Sequence, residues 1–174
     1  ELAMRYGKPS LDAALGRMQQ RGIERLIVVP LFPLFATANH TSIEQRIVEI
    51  LAEKQFHPER VTLPTFYDDP GWISAVSNAT QRTLEEIQPD HTLFSFHGLP
   101  ENQVKATDTE GLVCLQSEDC CDQIVEANRN CYRAQSFAHA RAVAAQLDLA
   151  PGSWSVAFQS RLAGTPWIQP FTDH

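Results

Sequence analysis

The run from Thr92 to Pro100, TLFSFHGLP, brings together residue types that carry chemistry. Leu93, Phe94 and Phe96 form a short apolar stretch of the kind found in strands buried on both faces of a parallel sheet. His97, Gly98 and Pro100 end it at once: a titratable ring, a residue free to adopt positive φ, and one that forbids a regular continuation. Ligands of open α/β sheets sit outside the carboxyl ends of the strands, so a histidine there faces a crevice. The plainer reading is a half-buried ring that caps the strand. Imidazole, with a reference pKa of about 6.5, is mostly neutral at neutral pH and can either take a proton or hold a cation. Two other strand ends are unusual. Pro30 to Ala36, PLFPLFA, is an apolar loop that serves either as core padding or as the wall of an apolar pocket. Gln159, Ser160 and Arg161 follow a strand expected over Ser153 to Phe158. An apolar wall, an imidazole and an arginine suit a large, flat, mostly apolar ligand with acidic groups. A nucleotide does not fit, because no GxGxxG or P-loop follows a strand, and GxSxG is missing too.

The 4 cysteines fall between Cys114 and Cys131 with the spacing C-x5-C-C-x9-C, in and just after a long polar connection, Glu101 to Asp119. In a cytosolic chain, clustered cysteines point to metal more often than to a disulfide. Cys120 and Cys121 are adjacent and would bridge each other only with strain. The spacing is not a standard zinc pattern, so a metal cluster, a zinc site and buried or reactive free thiols all stay open. His40, His57, His91 and His139 are read as structural, with His40, beside the apolar loop, the one that most needs checking.

The elements that must position these groups follow from periodicity. With 174 residues, 43% of them hydrophobic and 20% charged, the chain can bury a real core. A net charge of −7 and a pI near 5.3 exclude a nucleic-acid partner, which would require an excess of Lys and Arg. Leu26 to Ala36 is too short, and too broken by Pro30 and Pro33, to span a membrane; peripheral attachment remains compatible. Ser10 caps a helix carrying Leu11, Ala14, Leu15 and Met18, and Gly22 ends it. A strand over Leu26 to Val29 follows. Thr41 or Ser42 is expected to cap a helix over Ile43 to Phe56, stopped by Pro58. Next come a strand over Val61 to Leu63, Asp68 and Asp69 as caps, and a helix over Gly71 to Ile87 with Pro70 in its first turn. Beyond TLFSFHGLP, an alanine-rich helix is expected from about Cys121 to Leu147, with Phe137, Ala140, Ala144 and Leu147 on one side. Helix and strand alternate throughout, which predicts an α/β protein with parallel sheets and crossover helices. Gln88 to Asp90 is the expected interior boundary. Glu1 in place of a methionine, and the Trp, Pro and Phe cluster just before His174, read as the cut ends of an internal fragment.

The motifs together resemble the ferrochelatase family: AMRYGKPS at Ala3 to Ser10, the PLFPLF loop, FYDDPGWI at Phe66 to Ile73, SFHGLP at Ser95 to Pro100, FQSR at Phe158 to Arg161, and PWIQPFTD at Pro166 to Asp173. The resemblance implies a chelatase-like fold of two Rossmann-like α/β halves with a porphyrin between them. Residues 1–89 would then end the first half and residues 90–174 begin the second. It implies insertion of ferrous iron into a porphyrin to form haem in the cytoplasm, with porphyrin and Fe2+ as substrates. His97 matches the family's active-site histidine, which either takes a pyrrole proton or holds the metal. Arg5, Phe32 and Phe35 would lie in or near the porphyrin cleft, and Arg161, like Arg5, is a propionate partner by charge. The glutamate that the family pairs with its histidine would lie outside this chain. Cys114, Cys120, Cys121 and Cys131 resemble the loop cysteines of bacterial members that carry a [2Fe-2S] cluster. The chain departs from the family pattern at Phe32, where tyrosine is usual, at Leu34, where glutamine is usual, and at Ala38 to Ser42, where a Ser/Thr-rich run with glycine is usual. The alternatives are a related chelatase loading cobalt or iron into a tetrapyrrole such as sirohydrochlorin, or a non-catalytic iron–sulfur module.

Overall fold

The computed structural model describes residues 1–173 and divides the chain into two compact units, Glu1–Thr65 and the residues from Phe66 onward. In the first unit, Ser10 Oγ accepts from Ala13 N–H at 3.2 Å and starts α1 (Leu11–Gln20), as its sequence predicts. Helix α2 (His40–Glu53) lies between β1 (Arg25–Val28) and β2 (Glu59–Thr62), which pair in parallel with Leu26 opposite Arg60. This is the crossover unit expected from the alternation of elements. Leu15, Leu26, Ile47, Ile50 and Leu51 form its buried core. Helix α2 does not begin at Thr41 or Ser42. It starts at His40 behind Asn39, which makes no side-chain cap, because the Asn39 and His40 N–H groups already donate to Ala36 O at 3.0 and 2.8 Å.

The second unit opens with α3 (Pro70–Ile87), where Asp69 caps the Trp72 N–H at 3.0 Å and Pro70 occupies the first turn. Strand β3 (Thr92–His97) pairs in parallel with β4 (Trp154–Gln159), with His97 opposite Gln159. Between them run a short α4 (Glu101–Lys105), an irregular loop with one 3-10 turn at Glu126–Asn128, and α5 (Tyr132–Gln146). Two expectations are corrected. Helix α5 begins at Tyr132, not near Cys121, because the buried Asn128 side chain bonds the backbone of Cys120, Gln123 and Val125 in the intervening chain. The strand buried on both faces is β4, with Val156, Ala157 and Phe158 in sequence all buried, whereas β3 alternates and leaves Leu93, Ser95 and His97 exposed. No helix among the described residues is long and apolar enough to cross a membrane.

Helix α5 buries mostly small residues, with Gln135 and His139 the larger side chains among them. Ala134, Ser136, Ala140, Val143 and Ala144 let it pack on both α3 and β4. Phe158, 1% exposed, meets the rings of Phe96, Tyr132 and Phe137 at 6.1 to 6.4 Å between centroids. Its burial contributes about 1.5–3 kcal/mol. Helix α3 belongs to the second unit, where it is tied to α5. His139 on α5 lies between Trp72 and Phe96, and its Nδ1–H donates to Tyr67 O at 2.8 Å, while Gln146 Nε2 reaches Ser74 Oγ at 3.1 Å.

Burial holds both the His139 and His40 rings below the ordinary histidine pKa. In the unfolded chain they take up protons as pH falls through about 6.5. The stability they contribute is therefore complete above that pH and is lost as pH falls through their lower folded values. The melting temperature is expected to drop between pH 7 and pH 5. His139→Gln, which keeps an N–H for Tyr67 O, should remove part of that drop in thermal melts at the two pH values.

Candidate functional site

His97 is the last residue of β3, and its side chain is exposed at the carboxyl edge of the β3–β4 pair. The next residue explains how the chain leaves the strand. Gly98 N–H donates to Gln159 O at 2.7 Å, and a Cβ at Gly98 would stand 2.8 Å from that same oxygen and 3.3 Å from the Trp167 ring. Glycine is required here by close approach and not, as the sequence suggested, by positive φ. Pro166 to Asp173 lies along the same edge. Trp167 bridges to Pro100, Ile168 N–H donates to Leu99 O at 3.0 Å, and Phe158 N–H donates to Pro170 O at 2.8 Å. HGLP is thus held from both sides, by β4 and by this segment.

Ser160 takes a left-handed conformation at φ 69°, just before Arg161. The Arg161 guanidinium pairs with Asp173 at 2.8 Å and lies 4.3 Å over the Phe171 ring. It stands two residues beyond Gln159, the register partner of His97, so the two sequence candidates share one sheet edge.

In the first unit, Arg5 and Phe32 line one half-open cavity of about 390 Å³, with Met4, Leu15, Val29 and Leu31 among its walls. Its volume lies in the range of small-molecule sites. Arg5 Nε–H donates to Ser42 Oγ at 2.9 Å and to Ser42 O at 3.2 Å, and the guanidinium lies 4.5 Å over Tyr6. The PLFPLFA loop divides its roles: Leu31 and Phe32 wall the cavity, while Phe35 stacks on the buried His40 ring at 5.2 Å. His40 Nδ1 accepts from Ala36 N–H at 3.3 Å, so the ring supports the loop.

The four cysteines are brought together. Cys114, Cys121 and Cys131 are buried in the core of the second unit, with Cys120 packed against them. The Sγ atoms of Cys120 and Cys121 stand 3.6 Å apart, and Cys131 packs in the same core as Cys114 and Cys121. Contact with Cys114 pushes Cys131 up to about 11, contact with Cys131 pushes Cys121 up, and burial pushes Cys120 up. Cys114 is lowered by its hydrogen bond to Cys131. No group of three or more His, Cys, Asp or Glu among the described residues is arranged to hold a single metal ion.

Two buried side chains shape this loop, and neither was singled out from sequence. Asp108 accepts from the N–H groups of Gly111, Val113 and Cys114 at 3.0, 2.8 and 2.8 Å, and these bonds hold its carboxyl below the usual range. Asn128 Oδ1 accepts from Val125 N–H at 2.7 Å, and its Nδ2 donates to Cys120 O and Gln123 O at 3.1 and 2.8 Å. The Asp-Thr-Glu-Gly run at Asp108 to Gly111 is a readable turn signal. Asn128 has no comparable local signature.

The family profile described as Ferrochelatase matches residues 1–174. The chain is similar to the ferrochelatase of Bdellovibrio bacteriovorus, 41% identical over 175 residues covering 100% of this chain and 51% of that protein. It is also similar to the ferrochelatase of Pseudomonas fluorescens, 40% identical over 99% of this chain and 51% of the relative, and to that of Coxiella burnetii, 39% identical over 99% and 47%. The chain therefore spans about half the length of the curated relatives it matches.

Gly98→Ala is expected to destabilise the protein by about 1–3 kcal/mol, since neither the Gln159 carbonyl nor the Trp167 ring can yield freely. Gly16→Ala is the control. It lies in α1 with only the flexible end of Lys54 at 3.6 Å, and it should stabilise by about 0.5–1 kcal/mol. Denaturant unfolding of both variants measures the difference.

Proposed function

We propose, from the premise that this chain belongs to the ferrochelatase family, that its protein inserts ferrous iron into a porphyrin to form haem, with His97 as the residue that serves the reacting centre. The supporting observation is the exposed imidazole at the carboxyl edge of β3, on a turn held by Gly98 and the Pro166 to Asp173 segment. Metalation forms bonds from one Fe2+ to the ring nitrogens and releases two pyrrole protons, with no net electron transfer. An imidazole at such an edge takes a pyrrole proton or holds the incoming ion. A positioned general base contributes roughly 10² to 10⁴ in rate. Phe32 and Phe35 supply apolar surface, and Arg5, steadied by Ser42, is a cation for a propionate. Arg161 is a second, already engaged by Asp173, so a propionate there would compete with that carboxylate.

Activity is tested in the intact protein. His97→Ala should reduce ferrous iron or zinc insertion by roughly 10² to 10⁴, while its melting temperature stays near wild type because the ring is exposed. Near-normal insertion by this variant would remove the assignment. Preference for cobalt and sirohydrochlorin over iron and porphyrin in competition would favour the related chelatase.

We further propose that Cys114, Cys120, Cys121 and Cys131 hold a [2Fe-2S] cluster. Four soft thiol donors converge in the core of the second unit, with Cys120 Sγ and Cys121 Sγ 3.6 Å apart, and four thiolates are the donor set that such a cluster would take. When bound, such a group would supply a cross-link and a one-electron couple, and the metalation, which transfers no net electron, does not use the second. All four thiols are free of disulfides, which suits a reducing compartment such as the cytoplasm. Anaerobically purified protein should contain iron and sulfide and absorb visible light. A colourless, iron-free protein would end this reading.

A further inference from the structure

Arg133 sits half-buried on the first turn of α5, outside the TLFSFHGLP strand and outside the loop of cysteines. Its guanidinium is held at three points. Nη1–H donates to Cys121 Sγ at 3.0 Å, Nε–H donates to Gln169 O at 2.8 Å, and the plane lies 4.8 Å over the Phe137 ring. Gln169 belongs to the segment that backs the His97 turn. Its neighbour Ile168 donates to Leu99 O at 3.0 Å, Pro166 O accepts from Glu101 N–H at 3.0 Å, and Trp167 packs against Gly98. One planar cation therefore joins a cysteine sulfur to the segment that fixes HGLP.

We propose that Arg133 is a positioning residue that couples occupancy of the four-cysteine site to the ordering of the His97 turn. This rests on the reading of the four thiols as cluster ligands. Bonds to a metal hold the Cys121 sulfur in place more firmly than the contacts of the empty thiol do. The Nη1–H at 3.0 Å from that sulfur is then aimed at a fixed acceptor, so loading the site tightens one arm of the guanidinium. The other arm holds Gln169 O, and the plane between them is rigid. Tightening at sulfur thus restrains the segment that carries Ile168 and Trp167. Lysine, a point charge on a flexible stem, could attend the sulfur but could not span both partners.

The experiment uses the intact protein purified anaerobically, either loaded or stripped with an iron chelator, with hydrogen–deuterium exchange followed at the Gly98 and Ile168 amides. Loaded wild type should exchange at both amides about 5-fold or more slowly than stripped protein, the lower end of ordinary coupling between sites. Arg133→Lys should keep its visible spectrum and lose that difference, and Arg133→Gln should lose it as well. Equal exchange in loaded and stripped wild type would overturn the coupling. So would an undiminished difference in either variant with its spectrum intact, or loss of the spectrum from both variants, which would place Arg133 in loading itself. Wild-type protein that lacks iron and sulfide at the outset overturns the cluster reading first, and this inference with it. The spectrum shows that outcome before any exchange is measured.

Discussion

The second unit depends on one close approach. The backbone at Gly98 passes within hydrogen-bonding distance of the last carbonyl of β4, and no side chain fits between them. The bond prolongs the parallel pairing of β3 and β4 by one step beyond His97, so the histidine is held in a fixed ladder at the point where the chain leaves the sheet. Were this contact looser, the imidazole would sit on a mobile loop.

The segment from Pro166 to Asp173 completes that restraint from the other side. It donates to Leu99, accepts from Glu101 and Phe158, and brings Asp173 to Arg161. A strand end, a glycine turn and an irregular strap thus act as a single piece. The cysteine loop is held by different means. Asp108 and Asn128 are buried polar residues whose bonding capacity is spent on loop backbone, which stabilises irregular chain where neither helix nor sheet could satisfy those groups. The thiols then fill a core that β4 and α5 build around Phe158.

Arg133 is where these two arrangements meet. It touches a cysteine sulfur and the strap at once, and its ring contact with Phe137 restrains the rest of the side chain. A guanidinium suits this place because its donors diverge within one plane.

Much was legible without coordinates. The Ser10 and Asp69 caps, the crossover pairing of the strands, the histidine at a strand end and the clustering of cysteines follow from local rules of capping, periodicity and chain direction, which act over a few residues. Other features were not legible, because they rest on partners distant in sequence. The face of β3 that is exposed depends on what packs against it, and an apolar run looks the same whether one face or both are covered. The late start of α5 reflects Asn128 holding the backbone of Cys120, Gln123 and Val125, which helix propensity cannot anticipate. Gly98 looked like a turn glycine, and only the passing Gln159 carbonyl reveals a steric need. Arg133 carried no signal, since its two polar partners lie 12 and 36 residues away along the chain. Sequence alone determined which groups are available and roughly where strands and helices begin. Tertiary structure decided which of those groups touch, because contact between distant residues depends on packing that no short window of sequence contains.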